Sequence, residues 1–465
     1  MDFLIVLGAL AFLMFVAYRG YSVILFAPIA ALGAVLLTDP HMVAPMFTGL
    51  FMDKMVVFVK NYFPVFILGA IFGKVIELSG FSQAIVAAVI KLIGRERAML
   101  AIVLVCAILT YGGVSLFVVV FAVYPFAAEM FRQGNIPKRL IPGTIALGAF
   151  TFTMDSLPGT PQIQNIIPTT FFKTDIYAAP ILGIIGALFI FACGMSYLEW
   201  SRRKAARNGE GYGTNLLNEP APFESTNLPN PWIAILPLVV VGVMNKVFTL
   251  IIPSLYGKEV AFASAVVGKS TQVVQQVDAV KALWAVEGAL LLGILTIFIF
   301  AGRTVISKFA EGSKAAIAGA LLATMNTASE YGFGAVIAAL SGFSVIANAL
   351  TAIPNPLINE AITVTTLAGI TGSASGGMGI ALAAMADTFI ANANAAGIPL
   401  EVFHRVASMA SGGMDTLPHN GAVITLLAVT GLTHKQSYKD IFAITCIKTL
   451  AVFVIIAVFY MTGLV

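Results

Sequence analysis

The chain writes one eight-residue stretch twice, and both copies lie where a polar break is hard to accommodate. Met154-Asp155-Ser156-Leu157-Pro158-Gly159-Thr160-Pro161 returns 260 residues later as Met414-Asp415-Thr416-Leu417-Pro418-His419-Asn420-Gly421. Each copy sets an acid, a hydroxyl and a proline inside an otherwise apolar segment. Two further pairs keep the order and nearly the offset. Tyr111-Gly112-Gly113-Val114-Ser115-Leu116 matches Thr371-Gly372-Ser373-Ala374-Ser375-Gly376, and Leu78-Ser79-Gly80-Phe81-Ser82 matches Leu340-Ser341-Gly342-Phe343-Ser344. One match is weak evidence in so biased a composition, but three in the same order argue for a duplicated unit. Each half then carries a glycine break followed by an aspartate–proline break.

The segments around these breaks decide the class. With 59% hydrophobic and 10% charged residues and a mean hydropathy of +0.95, 465 residues read as a polytopic, all-α integral membrane protein, which excludes soluble multidomain and nucleic-acid-binding readings. Cys106, Cys193 and Cys446 lie in apolar runs and read as small core residues, not as a disulfide framework. His41, His404, His419 and His434 lack metal-ligand spacing, so neither a metal nor another cofactor is expected. The first basic residue, Arg19, follows the first apolar run, the reverse of a secretory signal, so that run reads as a spanning helix.

Charge placement sets the topology. Spans are expected at 3–18, 21–38 and 55–78, then an interfacial helix at 80–93. The run 98–131 breaks at Tyr111-Gly112-Gly113, leaving a first arm that rises only ~20 Å, too little to cross. Its flanks, Arg95/Arg97 and Arg132/Lys138/Arg139, are both basic, which makes it a re-entrant hairpin entered from the cytoplasm. A broken helix over 141–172 and a span over 176–199 follow, and Arg202-Arg203-Lys204 marks the cytoplasm again. Residues 201–230 read as a flexible cytoplasmic linker of weak order. In the second half, spans at 232–252 and 281–301 enclose an outer loop, Arg303, Lys308 and Lys314 lie inside, and 315–340 is the counterpart of 55–78. A short outer helix (343–353), an outer hairpin (361–390, breaking at Gly372 to Gly377), a second broken helix (402–432) and a last span (441–462) complete it. The flanks of the second hairpin, Pro354 to Glu360 and Ala391 to Glu401, contain no Lys or Arg, as outer loops should. The domain reading is therefore scaffold helices at 1–54, a first repeat at 55–200, the linker, connecting spans at 231–314, and an inverted second repeat at 315–465. That gives ten crossings, two opposed hairpins and both termini outside.

An unwound helix in lipid strands backbone groups at several kcal/mol each unless protein or a polar cavity satisfies them, so each break marks a site. Thr160-Pro161 reads as an N-cap with proline at N1, Asn420 as an N-cap in the other half, and Ser115 and Ser375 as caps at the hairpin tips. Helix N-termini facing a midplane site, lined by hydroxyls and amides, suit a small organic anion bearing hydroxyl groups. The substrate-binding candidates are Gly112, Gly113, Ser115, Ser156, Gly159, Thr160, Gln162, Gly372, Ser373, Ser375, Gly376, Thr416, His419 and Asn420. A carboxylate at the bilayer centre costs ~3 kcal/mol on insertion scales, so Asp155 and Asp415, and after them Glu330, are the candidates for carrying a coupling ion. A structural role for either aspartate, holding the broken backbone beside it, stands as the alternative.

Thr153-Met154-Asp155-Ser156-Leu157-Pro158-Gly159-Thr160-Pro161-Gln162 and Asp415-Thr416-Leu417-Pro418-His419-Asn420-Gly421-Ala422-Val423 resemble the gluconate permease (GntP) family, and the resemblance runs the length of the chain. It implies the ion transporter superfamily fold: inverted repeats, two hairpins and a dimeric elevator in the inner membrane. It also implies proton coupling. Gluconate carriers of that family show a His-Pro-Gly-Pro-type stretch at the first break, where this chain has Ser156-Leu157-Pro158-Gly159-Thr160-Pro161, which is closer to the branch associated with 3-hydroxybutyrate.

The leading expectation is a secondary symporter importing a small hydroxy monocarboxylate with a proton. A sodium-coupled carboxylate carrier is the alternative, since hydroxyl and carbonyl oxygens at the hairpin tips can cage Na⁺. A channel and an intramembrane aspartyl enzyme are more remote, the latter because both aspartates sit in proline-broken repeats without the settings such proteases use. No Walker-type nucleotide motif is present.

Overall fold

A computed structural model describes all residues except 1, 20, 95–96, 115, 215, 221–227, 264–271, 344, 346–352 and 419, and only the backbone of 14, 17, 18, 117, 262, 263, 272 and 273. The protein is an all-α membrane protein with one small sheet. Among the described residues, six helices are long and apolar enough to cross a bilayer: Pro40–Leu78, Pro180–Arg207, Pro231–Tyr256, Val277–Ala339, Ala374–Ala396 and His434–Thr462.

The breaks fall where the glycines and prolines put them. Hairpin 1 is Ala98–Tyr111 and Leu116–Gln133, and hairpin 2 is Pro356–Thr371 and Ala374–Ala396. Both turns use glycine in the left-handed region, Gly113 at φ +94° and Gly372 at φ +64°, a conformation that other residues adopt only with strain. The first broken helix runs through Leu140–Ala149 and Phe152–Asp155 and restarts at Ile163–Phe172. The second runs through Leu400–Ser411 and restarts at Gly421–Thr430.

Packing repeats between the halves. The first arm of each hairpin packs on the first arm of the broken helix that follows it. The restarted arm of each broken helix packs on the second arm of the other half's hairpin, and Pro180–Arg207 packs on its counterpart His434–Thr462. Exchanging the halves maps this pattern onto itself, as two copies about a twofold axis require. Direction agrees: Gly332 abuts Phe51 while Gly312 abuts Leu78, so residues 303–339 run antiparallel to Met52–Leu78.

Several expectations need correction. The segment between 281–301 and 315–340 is not a loop. Val277–Ala339 is helical throughout except at Ala301 (φ −133°, ψ 18°), where the axis doubles back. A straight helix would separate Phe298 from Phe309 by about 16 Å, yet their ring centroids lie 5.3 Å apart. The expected outer loop contains an antiparallel pair, Glu259–Ala263 with Gln272–Gln276, so the chain is not purely helical. Hairpin 2 is longer than the expected 361–390 because Asn355 caps its first arm through Ile358 N, and the second arm runs on to Ala396. The linker is fastened along its first part: helix continues to Arg207, Glu210 pairs with Arg139, and Glu219 pairs with Arg132 and Lys138. Most of the expected outer helix at 343–353 lies outside the described residues.

The ends of the molecule sort by charge. Arg132, Lys138 and Arg139 meet linker acids and Asp440 of the last helix at one end. At the other, Tyr460 reaches Asn355, and the amide of Ile181 donates to Val465 O.

Candidate functional site at the helix breaks and hairpin tips

Each break grips the tip of its own hairpin. In the first half, Gln162 Nε2 donates to Thr110 O (2.7 Å) and more weakly to Val114 O (3.4 Å), and Gly113 lies against Pro161. In the second, Asn420 Nδ2 donates to Gly372 O (2.7 Å), while its Oδ1 accepts from Val423 N (2.8 Å), capping the restarted helix as expected. The first half caps differently. Ile163–Phe172 starts after Gln162 with no side-chain cap, and Thr160 Oγ1 instead donates back to Thr153 O (2.7 Å). The expected Thr160 cap is therefore incorrect, because the hydroxyl closes the unwound turn rather than opening the next helix. At the tip of hairpin 2 the cap is Ser373, whose Oγ accepts from Gly376 N (3.1 Å), and not Ser375, whose hydroxyl lies 3.3 Å from that of Thr327. Ser115 and His419 lie outside the described residues.

The carbonyls freed by unwinding are satisfied by protein. Asp155 O accepts from Arg405 (3.0 Å) and from Ser408 Oγ (2.8 Å). The same guanidinium reaches Ala178 O and Asn165 Oδ1, so one side chain of the second half clamps the break of the first. Asn165 donates to Thr160 O and Ile176 O, and His404 bridges Thr174 and Asn165. Pro158 O accepts from Tyr111 OH, Thr416 O from Tyr438 OH, and Pro418 O pairs with His434 Nε2. Gly159, at φ +84°, donates its amide to Ile176 O. Backbone that is irregular at this depth is thus paid for by hydrogen bonds to named partners.

The two aspartates differ in their partners. Asp415 Oδ1 pairs with Lys448 Nζ of the last helix, which also donates to Phe150 O in the first broken helix (3.1 Å). Thr416 Oγ1 shares a hydrogen bond with Thr445 Oγ1 (2.6 Å). Asp155 has no ion pair of its own among the described residues. Its Oδ1 accepts from Ser156 Oγ (2.7 Å), and its Oδ2 faces Gly412 at the second break, where any added side chain would collide with it. Asp155 is 2% exposed and Asp415 7%.

Glu330 lies apart from both, on the helix facing hairpin 2, with its Oε2 against Gly376 and without a hydrogen-bond partner for that oxygen among the described residues. At the tip of hairpin 1 the scaffold side chains nearest the glycines are apolar: Gly112 faces Leu238, and Gly113 faces Leu290 and Phe72. Cavities of about 620 and 190 Å³ open elsewhere, at the basic end around Trp200 and Lys204.

Sequence reasoning missed Lys448, Arg405, His404 and Glu360. Lys448 carried a signal, a cation inside the span 441–462. Glu360, wholly buried with neither oxygen partnered, was read as part of an outer flank.

No protein-family model matches the chain. Over 474 aligned residues, spanning the whole of both proteins, it is 59% identical to YxjC, an uncharacterized transporter of Bacillus subtilis (strain 168). Among solved structures it resembles the YdaH transporter of Alcanivorax borkumensis, described as having an unusual topology, with a TM-score of 0.55 and 13% identity over 90% of this chain and 88% of that one. At that identity the likeness bears on the fold alone.

Proposed function

The chain belongs to the same family of membrane transporters as YxjC, and from that premise we propose a secondary active carrier that imports a small hydroxy monocarboxylate, 3-hydroxybutyrate-like or gluconate-like, in symport with a proton. The observation that carries the reading is the inequality of the two buried aspartates. Asp415 has its charge compensated by Lys448, whereas Asp155 faces the second break without an ion pair. A buried carboxyl that can be neutral or charged at an anion-attracting junction is what proton–anion symport needs: the proton lowers the cost of the anion, and the anion lowers the cost of the proton. Asp155 is therefore the coupling group, and Asp415 holds the second break in place.

The anion would be held among the helix N-termini at the breaks and hairpin tips, those of Leu116–Gln133, Ile163–Phe172, Ala374–Ala396 and Gly421–Thr430, with Ser156, Thr416, Gln162 and Asn420 beside them. The motif's likeness to the gluconate permease family supports the substrate class. In this reading the hairpins, the broken helices and the Pro180–Arg207/His434–Thr462 pair move as a transport body along the remaining helices, in a homodimer of the cytoplasmic membrane.

The test is uptake of labelled 3-hydroxybutyrate and gluconate by the purified protein in liposomes, with pH and Na⁺ gradients imposed separately. Accumulation driven by an inward proton gradient, and not by Na⁺ alone, is expected. Accumulation driven only by Na⁺ would sink proton coupling, and uptake of neither acid would sink the substrate class.

A further inference from the structure

Glu330 is buried to 4% exposure on the helix that faces hairpin 2, and its Oε2 makes no hydrogen bond. A buried carboxylate that served only to hold helices together would be hydrogen-bonded or paired, as nearly all such groups are. It is aimed instead at the first turn of Ala374–Ala396, a 23-residue helix whose N-terminus forms the tip of hairpin 2. There it lies so close to the Cα of Gly376 that a Cβ at that position would overlap it, which is why this position is glycine. Neighbouring contacts keep the alignment: Thr327 Oγ1 sits 3.3 Å from Ser375 Oγ, Tyr331 lies against Gly379, and Ile380 lies against Gly334. Ser373 uses its side chain on Gly376 N, leaving the positive end of the helix facing the acid. A helix N-terminus favours an anion and disfavours a cation, so this geometry describes a seat for a carboxylate rather than a cage for Na⁺.

We propose that Glu330 is a resident occupant of the carboxylate seat at the tip of hairpin 2, and that a substrate's carboxylate binds there by taking its place. This rests on the carrier function proposed above and deepens it, since it names the group the seat accepts and the internal competitor that group must displace. Glu330 belongs to the helix outside the hairpin, so displacing it also removes one of the contacts between the hairpin tip and that helix. The role differs from that of a coupling acid. Removing the Glu330 charge should tighten anion binding, whereas removing a coupling acid weakens or uncouples it.

The experiment uses the full-length purified protein and two probes, formate as the smallest carboxylate and 3-hydroxybutyrate. The readout is the concentration of each that half-protects the backbone amides of 372–378 from hydrogen exchange, in the wild type and in Glu330→Gln. The expected result is a drop of about tenfold in that concentration for Glu330→Gln, within the range of ordinary coupling between ligands. Equal or weaker binding of both probes by the variant overturns the seat. If formate protects, and does so better in the variant, while 3-hydroxybutyrate protects neither protein, the seat stands and the substrate class fails. Glu330→Asp, which keeps the charge but draws it back from Gly376, should fall between the two, which a mere loss of packing would not produce.

Discussion

The two halves are built to one plan and finished differently. In the first, the break is clamped by neutral amides and by Arg405 borrowed from the other half, its acid stands without an ion pair, and its hairpin tip rests on Leu238, Leu290 and Phe72. In the second, the acid is paired with Lys448, the restart is capped by Asn420, and the hairpin tip rests against Glu330. Duplication supplied a symmetric cradle, and the charges that break the symmetry lie almost wholly on one side. At the repeat offset Arg405 aligns with Ile145, so its clamp has no counterpart in the first half. A carrier needs such inequality: two equivalent buried acids would share one proton and specify neither.

The strongest way to break this comparison is to remove the ammonium. Lys448→Met strands Asp415 in a buried site and should cost ~3–5 kcal/mol of stability, read as a large fall in the thermal unfolding midpoint in detergent. Lys448→Met with Asp415→Asn should recover much of it, and a double variant as unstable as the single would show that the pair is not the reason. Next in size is the division of labour between the acids. Asp155→Asn should keep exchange across the membrane and lose uphill, pH-driven uptake, while Asp415→Asn should keep uphill uptake at reduced expression. If both variants still concentrate substrate, neither acid couples.

A finer contrast lies in the two amides. Asn420→Ala removes both a helix cap and the donor to Gly372 O, together ~2 kcal/mol, whereas Gln162→Ala removes donors alone, ~1 kcal/mol. Substrate affinity should follow the same order, and the reverse order would place the substrate in the first half. The smallest effect concerns the linker. Burial works to raise the Glu219 carboxyl, but hydrogen bonds from Lys138, Arg132 and Tyr212 outweigh it and hold it below its ordinary 4.5. Its contribution is therefore full at neutral pH and fades only as pH falls through that lowered value. Glu219→Gln should cost less than ~1 kcal/mol at pH 7, and the difference from wild type should vanish in strong acid.

Much of this plan is legible in the chain because glycine, proline and aspartate in apolar surroundings admit few backbone solutions. Gly112-Gly113 and Gly372 mark the tips, and Pro158 and Pro418 mark the breaks, in sequence and structure alike. What escapes is what the breaks are held by. Arg405 acts on Asp155 O and Ala178 O, and a carbonyl oxygen carries no residue identity for a sequence to advertise. The Thr160 hydroxyl had two acceptable roles, accepting from an amide of the next helix or donating to the last turn, and only three-dimensional closure chose Thr153 O. The strand pair carried a faint signal in Glu259-Val260-Ala261-Phe262 and Gln272-Val273-Val274, too short to outweigh the helical context.

The ion pairs that fasten the linker also redistribute the molecule's charge. Arg132, Lys138 and Arg139 are consumed by Glu210, Glu219 and Asp440, so they present little net charge to the surrounding leaflet. Lys204, Arg207, Lys435 and Lys439 make no ion pair among the described residues, and they gather beside the exposed indole of Trp200. An anionic lipid surface attracts each such cation by ~1 kcal/mol. Part of that pull therefore falls on the corner formed by the helices Pro180–Arg207 and His434–Thr462, in addition to the pull on the exposed Arg303, Lys308 and Lys314. Phospholipid headgroup composition thus becomes a variable acting on, among others, the helix that carries Lys448.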